Sequence, residues 1–152
     1  AVATGRAGYV CLYGSEVIDW GIIVKATRNS ADLVSYVQEL ISTIKPDVVV
    51  TEKLGETCRK GKRSRCLIQA IAELASHNPV LDVAVDRQRS FPSKYEEAVY
   101  LVGKHPDLTG YLPSRKRKFY EVEPRRMILF EAVVLAETVI NGPPEQLAAA
   151  MG

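Results

Sequence analysis

The segment 46–53, with the sequence PDVVVTEK, constrains the fold more than any other part of the chain. Its run of β-favouring residues without polar alternation is typical of a strand buried on both faces, as found in sheets that helices cover. The strand ends in Glu52, and a buried carboxylate is costly unless it has a partner. We therefore expect an α/β sheet that presents Glu52 to a cleft at the carboxyl end of the strand.

The spacing of apolar residues predicts that this strand belongs to an alternating series of strands and helices. Residues 9–13 and 17–24 are two β-rich runs joined by a short turn, which predicts a hairpin. A further strand is expected at 80–85. Helical spacing and capping signals predict four helices, at 30–44, 67–74, 94–102 and from about 124 to 140. This order predicts a mixed sheet with an antiparallel hairpin, parallel strands and helices packed on it.

Composition bounds the class of protein. The chain has 152 residues, of which 47% are hydrophobic and 25% charged, enough for one globular domain with its own core. We assign residues 1–142 to that domain and 143–152 to a short tail. The odd number of cysteines, at positions 11, 58 and 66, predicts reduced thiols in a cytoplasmic protein. No apolar run is long enough for a membrane span, and no membrane partner is expected.

The last predicted helix carries a second acid in an unusual position. If Arg126 and Glu137 mark its polar side, a helical wheel places Glu131 on the apolar face. A carboxylate there must be paired, protonated or bound to a cation. Glu131 could converge with Glu52 on a Mg²⁺ or Mn²⁺ ion, with Glu123 as a further acid. Alternatively, Glu131 pairs with Arg125, Arg126 or Lys53.

Basic residues are concentrated in two loops, although the net charge is only +2. The first loop directly follows Glu52, and the second precedes the last helix. Such runs beside a strand-end carboxylate suit a surface that receives a polyanion. Tyr111, Phe119 and Tyr120 lie beside the second run and could stack on bases or anchor the loop to the core. The expected phosphate-binding residues of these two loops are Arg59, Lys60, Lys62, Arg63, Arg65, Arg115, Lys116, Arg117 and Lys118.

Other chemistries have little support in the sequence. Neither glycine-rich stretch, at 5–8 or at 55–61, has the spacing of a P-loop or a dinucleotide-binding loop. The two histidines lie at predicted helix ends, where capping is the simpler role, so nucleophilic catalysis is not indicated.

The whole pattern of hairpin, strand ending in glutamate, basic loop and final acidic helix resembles the RNase H-like nucleases, and within them the RuvC-type Holliday-junction resolvases. KPDVVVTEK resembles the second acidic motif of that family, and LFEAVVLAE resembles its final one. The resemblance covers the chain to about Ile140. It implies an RNase H-like mixed sheet with helices on both faces, Glu52 and Glu131 as metal ligands, and Lys94 in RSFPSKYEEA as a phosphate contact.

The resemblance also implies a function. Such enzymes use two Mg²⁺ ions to cleave branched DNA in DNA recombination and repair, and they act as homodimers. The chain departs from the family where a first-strand Asp is expected, because the alignment places that position at or just before Ala1. Two hypotheses follow: a metal-dependent endonuclease, or a nucleic-acid-binding relative that does not cleave. A third is an interaction domain without a role in nucleic-acid binding.

Overall fold

The computed structural model describes residues 1–142, so the predicted tail at 143–152 lies outside the described residues. The described chain contains five strands and four α-helices. In chain order they are β1 (Val2–Ala3), β2 (Arg6–Tyr13), β3 (Glu16–Ile23), α1 (Ser30–Ile44), β4 (Val48–Glu52), α2 (Lys62–Ser76), β5 (Leu81–Val85), α3 (Lys94–Lys104) and α4 (Met127–Ile140). Two 3₁₀ segments, Lys25–Arg28 and Pro106–Tyr111, precede α1 and follow α3.

The strands form two sheets, and the expected single mixed sheet is not present. Strands β1, β2 and β3 form an antiparallel sheet in that order, whereas β4 and β5 form a separate parallel pair. Within residues 1–142 no strand joins the edges of β2 and β4, which border a common cavity. The α/β class, the antiparallel hairpin and the parallel strands are therefore confirmed, but their union in one sheet is not.

The predicted hairpin is formed by β2 and β3, and a third strand precedes it. The sequence pattern did not reveal β1 because it has only two residues. Glycines with positive φ occupy the turns on both sides of β2, Gly5 at 72° and Gly14 at 59°. These backbone conformations favour glycine because they crowd a Cβ atom.

Capping residues define the starts of α1 and α3 where the sequence predicted them. The Asn29 side chain accepts a hydrogen bond from the Asp32 N–H at 2.8 Å, and Ser93 accepts one from the Glu96 N–H at 3.3 Å. Helix α4 begins three residues later than expected. Residues 124–126 form a turn instead, closed by a hydrogen bond from the Met127 N–H to the Pro124 carbonyl at 3.1 Å.

Two apolar clusters cover opposite faces of β2. On one face Ala7 packs with Leu33 of α1 and Leu67 of α2. On the other face Val10 packs against a cluster that contains Phe130 of α4. The alternation of side chains along a strand explains this division, so helices cover both faces of this sheet as expected. No helix in the described part of the chain has the length and apolar character needed to cross a membrane.

Candidate carboxylate site and basic loops

Glu52 is the last residue of β4, and its side chain is buried, with only 6% of its surface exposed. The expectation that it faces an open cleft is wrong, because the loop after β4 folds over it. The Cys58 thiol of that loop donates a hydrogen bond to Glu52 Oε2 at 2.9 Å. Burial and this hydrogen bond both raise the pKa of Cys58. The other oxygen, Glu52 Oε1, is buried and has no partner among the described residues.

Glu131 lies in the first half of α4 and is buried, with 4% of its surface exposed, as the helical wheel predicted. Its partner is none of the three cations considered from the sequence. Instead, its carboxylate forms an ion pair with Lys60, and Arg87 Nε lies 4.0 Å away. Burial alone would raise the pKa of Glu131, but the positive charges of Lys60 and Arg87 outweigh it and lower that pKa.

The charges of Glu52 and Glu131 both act on the Ala1 amino group. Burial lowers the pKa of the Ala1 amino group to about 6, and the negative charges of Glu131 and Glu52 oppose this shift. Convergence of the two acids on one cation stays a prediction, and both side chains are buried, with 6% and 4% of their surfaces exposed.

Two residues of the site, Arg87 and Glu97, were not identified from the sequence. They form an ion pair of 2.9 Å, and both side chains are at least nine-tenths buried. Arg87 follows β5, so it lies at the same edge of the parallel sheet as Glu52. Glu97 lies four residues before the buried Leu101, on the inward face of α3. The sequence contained a signal for each residue: Arg87 follows a predicted strand, and Glu97 is an acid on the apolar face of a predicted helix.

Glu123 belongs to a neighbouring ion-pair network. Its carboxylate contacts Arg6 and Lys94, each at 3.0 Å. Lys94 also lowers the pKa of Glu131, so the two networks adjoin. The predicted phosphate contact Lys94 is thus engaged with an acid, although its side chain remains 44% exposed.

The two predicted metal ligands, Glu52 and Glu131, have different surroundings. A cation already lies against Glu131, namely the Lys60 ammonium group. Residues 1–142 contain no cluster of three or more His, Cys, Asp or Glu side chains able to hold a metal ion. The unpartnered Glu52 Oε1 is a feature that suits a cation.

The expected first basic loop is only partly a loop, because α2 begins at Lys62 and its first turn carries Lys62, Arg63 and Arg65, whereas Arg59 and Lys60 precede it. We keep the name for residues 59–65, whose cations either hold the segment in place or face solvent. Arg63 donates to the Arg28 carbonyl at 2.8 Å, and Arg65 donates to the Cys58 carbonyl at 3.2 Å. Arg59 and Lys62 are exposed, and in the described part of the chain neither forms an ion pair. These two flank Lys60, which contacts Glu131.

The second basic loop is organised by Glu121. Arg115 donates two hydrogen bonds to the Glu121 carboxylate, at 2.7 and 2.9 Å, and Arg117 donates one to the Glu121 carbonyl at 2.7 Å. The hydrogen bonds from Arg115 lower the pKa of Glu121 to about 2. Two of the four consecutive cations, Arg115 and Arg117, are therefore held by one acidic residue, and the Lys118 backbone N–H also donates to the Glu121 carboxylate at 2.9 Å.

The aromatic residues beside this loop have different roles. Tyr111 packs against the core, which is the anchoring role. Phe119 and Tyr120 are 96% and 66% exposed, with ring centroids 5.4 Å apart in an edge-to-face arrangement. Two exposed aromatic rings next to four cations are available for stacking on a ligand.

No protein-family model, curated protein or solved structure matches this chain.

Proposed function

We propose that the chain is a nucleic-acid-binding protein with an RNase H-like fold of the RuvC type, acting on branched or duplex DNA. The observation that carries this proposal is the attachment of the first basic loop to the carboxylate site. Lys60 contacts Glu131, while the adjacent Arg59 and Lys62 face solvent. A phosphate backbone held by these exposed cations would pass over the site.

The second basic loop supports the same proposal. Its cations would bind phosphates, and the exposed rings of Phe119 and Tyr120 would stack on unpaired bases. Structured DNA with unpaired or strained bases, such as a four-way junction, offers both phosphates and accessible base faces. As RuvC-type resolvases are dimeric, we also propose a homodimer, and the odd number of cysteines favours a cytoplasmic location.

A second candidate function is metal-dependent cleavage of that DNA. The unpartnered Glu52 oxygen favours it, since a buried carboxylate oxygen without a hydrogen bond suits a Mg²⁺ or Mn²⁺ ion. Two carboxylates, one of them paired with Lys60, are too few for a two-ion mechanism, and no catalytic step is assigned to them. Binding without cleavage is the function that the present residues support best.

The test compares binding to a labelled four-way junction, a duplex and a single strand between 50 and 200 mM salt. The variant Arg59→Gln with Lys62→Gln should bind all three more weakly and flatten the salt slope by roughly one for each lost phosphate contact. The control Lys45→Gln removes an exposed lysine before β4, at the opposite end of that strand from Glu52. Affinity that does not depend on salt would instead favour an interaction domain without a nucleic-acid partner.

Cleavage is tested separately by adding Mg²⁺ or Mn²⁺ to the same junction. Products that disappear in Glu52→Gln would establish the endonuclease. Binding without products would leave the non-cleaving protein as the function.

A further inference from the structure

A cavity of about 650 Å³ separates the two sheets. Residues 7–14, which include most of β2, form one wall, and residues 47–52, which include all of β4, form another. Other walls are formed by apolar side chains of α1 and α4, which pack on opposite faces of β2. They include Leu33, Val37, Ile41, Leu135 and Val139. We call this space the inter-sheet cavity.

Strand β2 presents one edge to the cavity. Its backbone hydrogen bonds to the β1 side end at Ala1. The Gly8 N–H donates to the Ala1 carbonyl at 2.8 Å, and the Ala1 amino group donates to the Gly8 carbonyl at 2.7 Å. Because backbone groups alternate between the two edges of an antiparallel strand, those of Val10 point to the same edge as those of Gly8. No strand among residues 1–142 continues the ladder beyond Ala1.

The β4 wall is also an edge. The Asp47 carbonyl accepts a hydrogen bond from the Leu81 N–H at 2.9 Å, on the β5 side. The Lys53 N–H, also on that side, donates to the Val85 carbonyl at 2.8 Å. By the same alternation, the N–H and carbonyl of Val50 point away from β5 and into the cavity. Two rows of backbone donors and acceptors therefore border one apolar space, where unpaired groups are costly.

We propose that the inter-sheet cavity receives one extended apolar peptide strand, contributed from outside this 152-residue sequence. The strand would pair with β2 on one side and β4 on the other, and would unite the two sheets into one. Its side chains would be apolar on both faces, because α1 lies on one side of the cavity and α4 on the other. A small apolar molecule would fill the volume but would leave both rows of backbone groups without partners.

The geometry also gives the direction of the strand. It continues the line of β1, which is antiparallel to β2, so its carboxyl end lies at Ala1. Ala1 and Glu52, the last residue of β4, both line the cavity, and the Glu52 charge acts on the Ala1 amino group. A strand that ends at Ala1 would therefore run parallel to β4. Five residues at about 3.3 Å each would span the five residues of β4. This inference does not depend on the proposed nucleic-acid function.

The test places the segment Lys-Val-Ile-Val-Val directly before Ala1 and measures amide hydrogen exchange by NMR. Exchange at Val10 and Val50 should slow at least tenfold relative to the 152-residue chain, because both amides gain a partner. The matched control Lys-Pro-Ile-Pro-Val loses two backbone donors and cannot sit within a sheet, so it should leave both rates unchanged. Val49 points towards β5 and serves as the internal reference.

The proposal would be overturned if Val10 and Val50 exchanged at the same rates in the apolar and the proline fusions. A cavity that binds a small molecule predicts such equal rates. Slow exchange at both amides in the 152-residue chain itself would also overturn it, since part of the chain would then fill the space. If the fusion is insoluble, the peptide Lys-Val-Ile-Val-Val-Lys added to the 152-residue chain gives the same readout.

Discussion

Lys60 of the first basic loop forms an ion pair with Glu131, the buried acid of α4. This contact joins a loop rich in cations to the first half of the most buried helix. It explains how the chain accommodates a carboxylate among apolar side chains, and it positions the exposed Arg59 and Lys62 beside the acidic site. Stability and the proposed binding surface are therefore linked through one pair of residues.

Replacing Lys60 by Ala should lower the free energy of unfolding by roughly 3 kcal/mol, because the Glu131 charge would remain buried with only the more distant Arg87 near it. Urea denaturation measures this change. The control Lys62→Ala removes an exposed neighbour and should change the free energy by less than about 0.5 kcal/mol. Equal effects of the two substitutions would show that the ion pair does not stabilise the fold.

Acid should destabilise the protein partly through Glu131. Its folded pKa lies below the ordinary value of 4.5, so its contribution is complete above pH 4.5 and is lost as the pH falls through the folded pKa. The free energy of unfolding, measured from pH 6 to pH 3, should fall less steeply in Glu131→Gln than in the unaltered chain. Parallel pH curves for the two proteins would contradict this assignment.

Replacing Ala1 by Asp should strengthen Mn²⁺ binding, measured by calorimetry. The charges of Glu131 and Glu52 act on the Ala1 amino group, so a carboxylate at this position would add a third acid near them. A matched Thr4→Asp variant places the same charge beyond β1 and should have little effect. If Ala1→Asp binds Mn²⁺ no better than Thr4→Asp, the carboxylates are not arranged as a cation site.

Phe119→Ala should weaken binding to single-stranded and junction DNA by roughly 5- to 150-fold, as expected for the loss of one base-stacking contact. Stability should not change, because the ring is 96% exposed. Val122→Ala truncates another exposed apolar side chain in the same region and provides the control. Comparable losses in both variants would argue against stacking by Phe119 and for a general effect on the loop.

Gly8→Ala should destabilise the protein by about 1–3 kcal/mol. An added Cβ would lie 2.9 Å from the Ile128 carbonyl oxygen, and backbone on both sides cannot move aside easily. Gly103→Ala is the comparison, since nothing lies within 4 Å of its Cβ position in α3. It should raise the free energy of unfolding by up to about 1 kcal/mol. Thermal or urea unfolding of both variants tests whether the free energy of unfolding falls in Gly8→Ala and rises in Gly103→Ala.

Local signals in the sequence predicted the local structure. Asn29 and Ser93 cap their helices as expected, and the hairpin and the strand ending in Glu52 are present. These features depend on residues a few positions apart, whose backbone preferences act within one turn or one strand. The start of α4 was misplaced because Pro124 is compatible with a first helical turn but does not require one.

The sequence by itself determined the α/β class, the order of the elements and the burial of Glu131, because periodicity and capping depend on near neighbours in the chain. Only the tertiary structure decided that Lys60 pairs with Glu131, that Cys58 and its loop bury Glu52, and that the strands divide into two sheets around a cavity. These features depend on contacts between residues distant in the sequence. No local pattern encodes which of twenty basic side chains reaches a buried acid, or whether two strand edges meet.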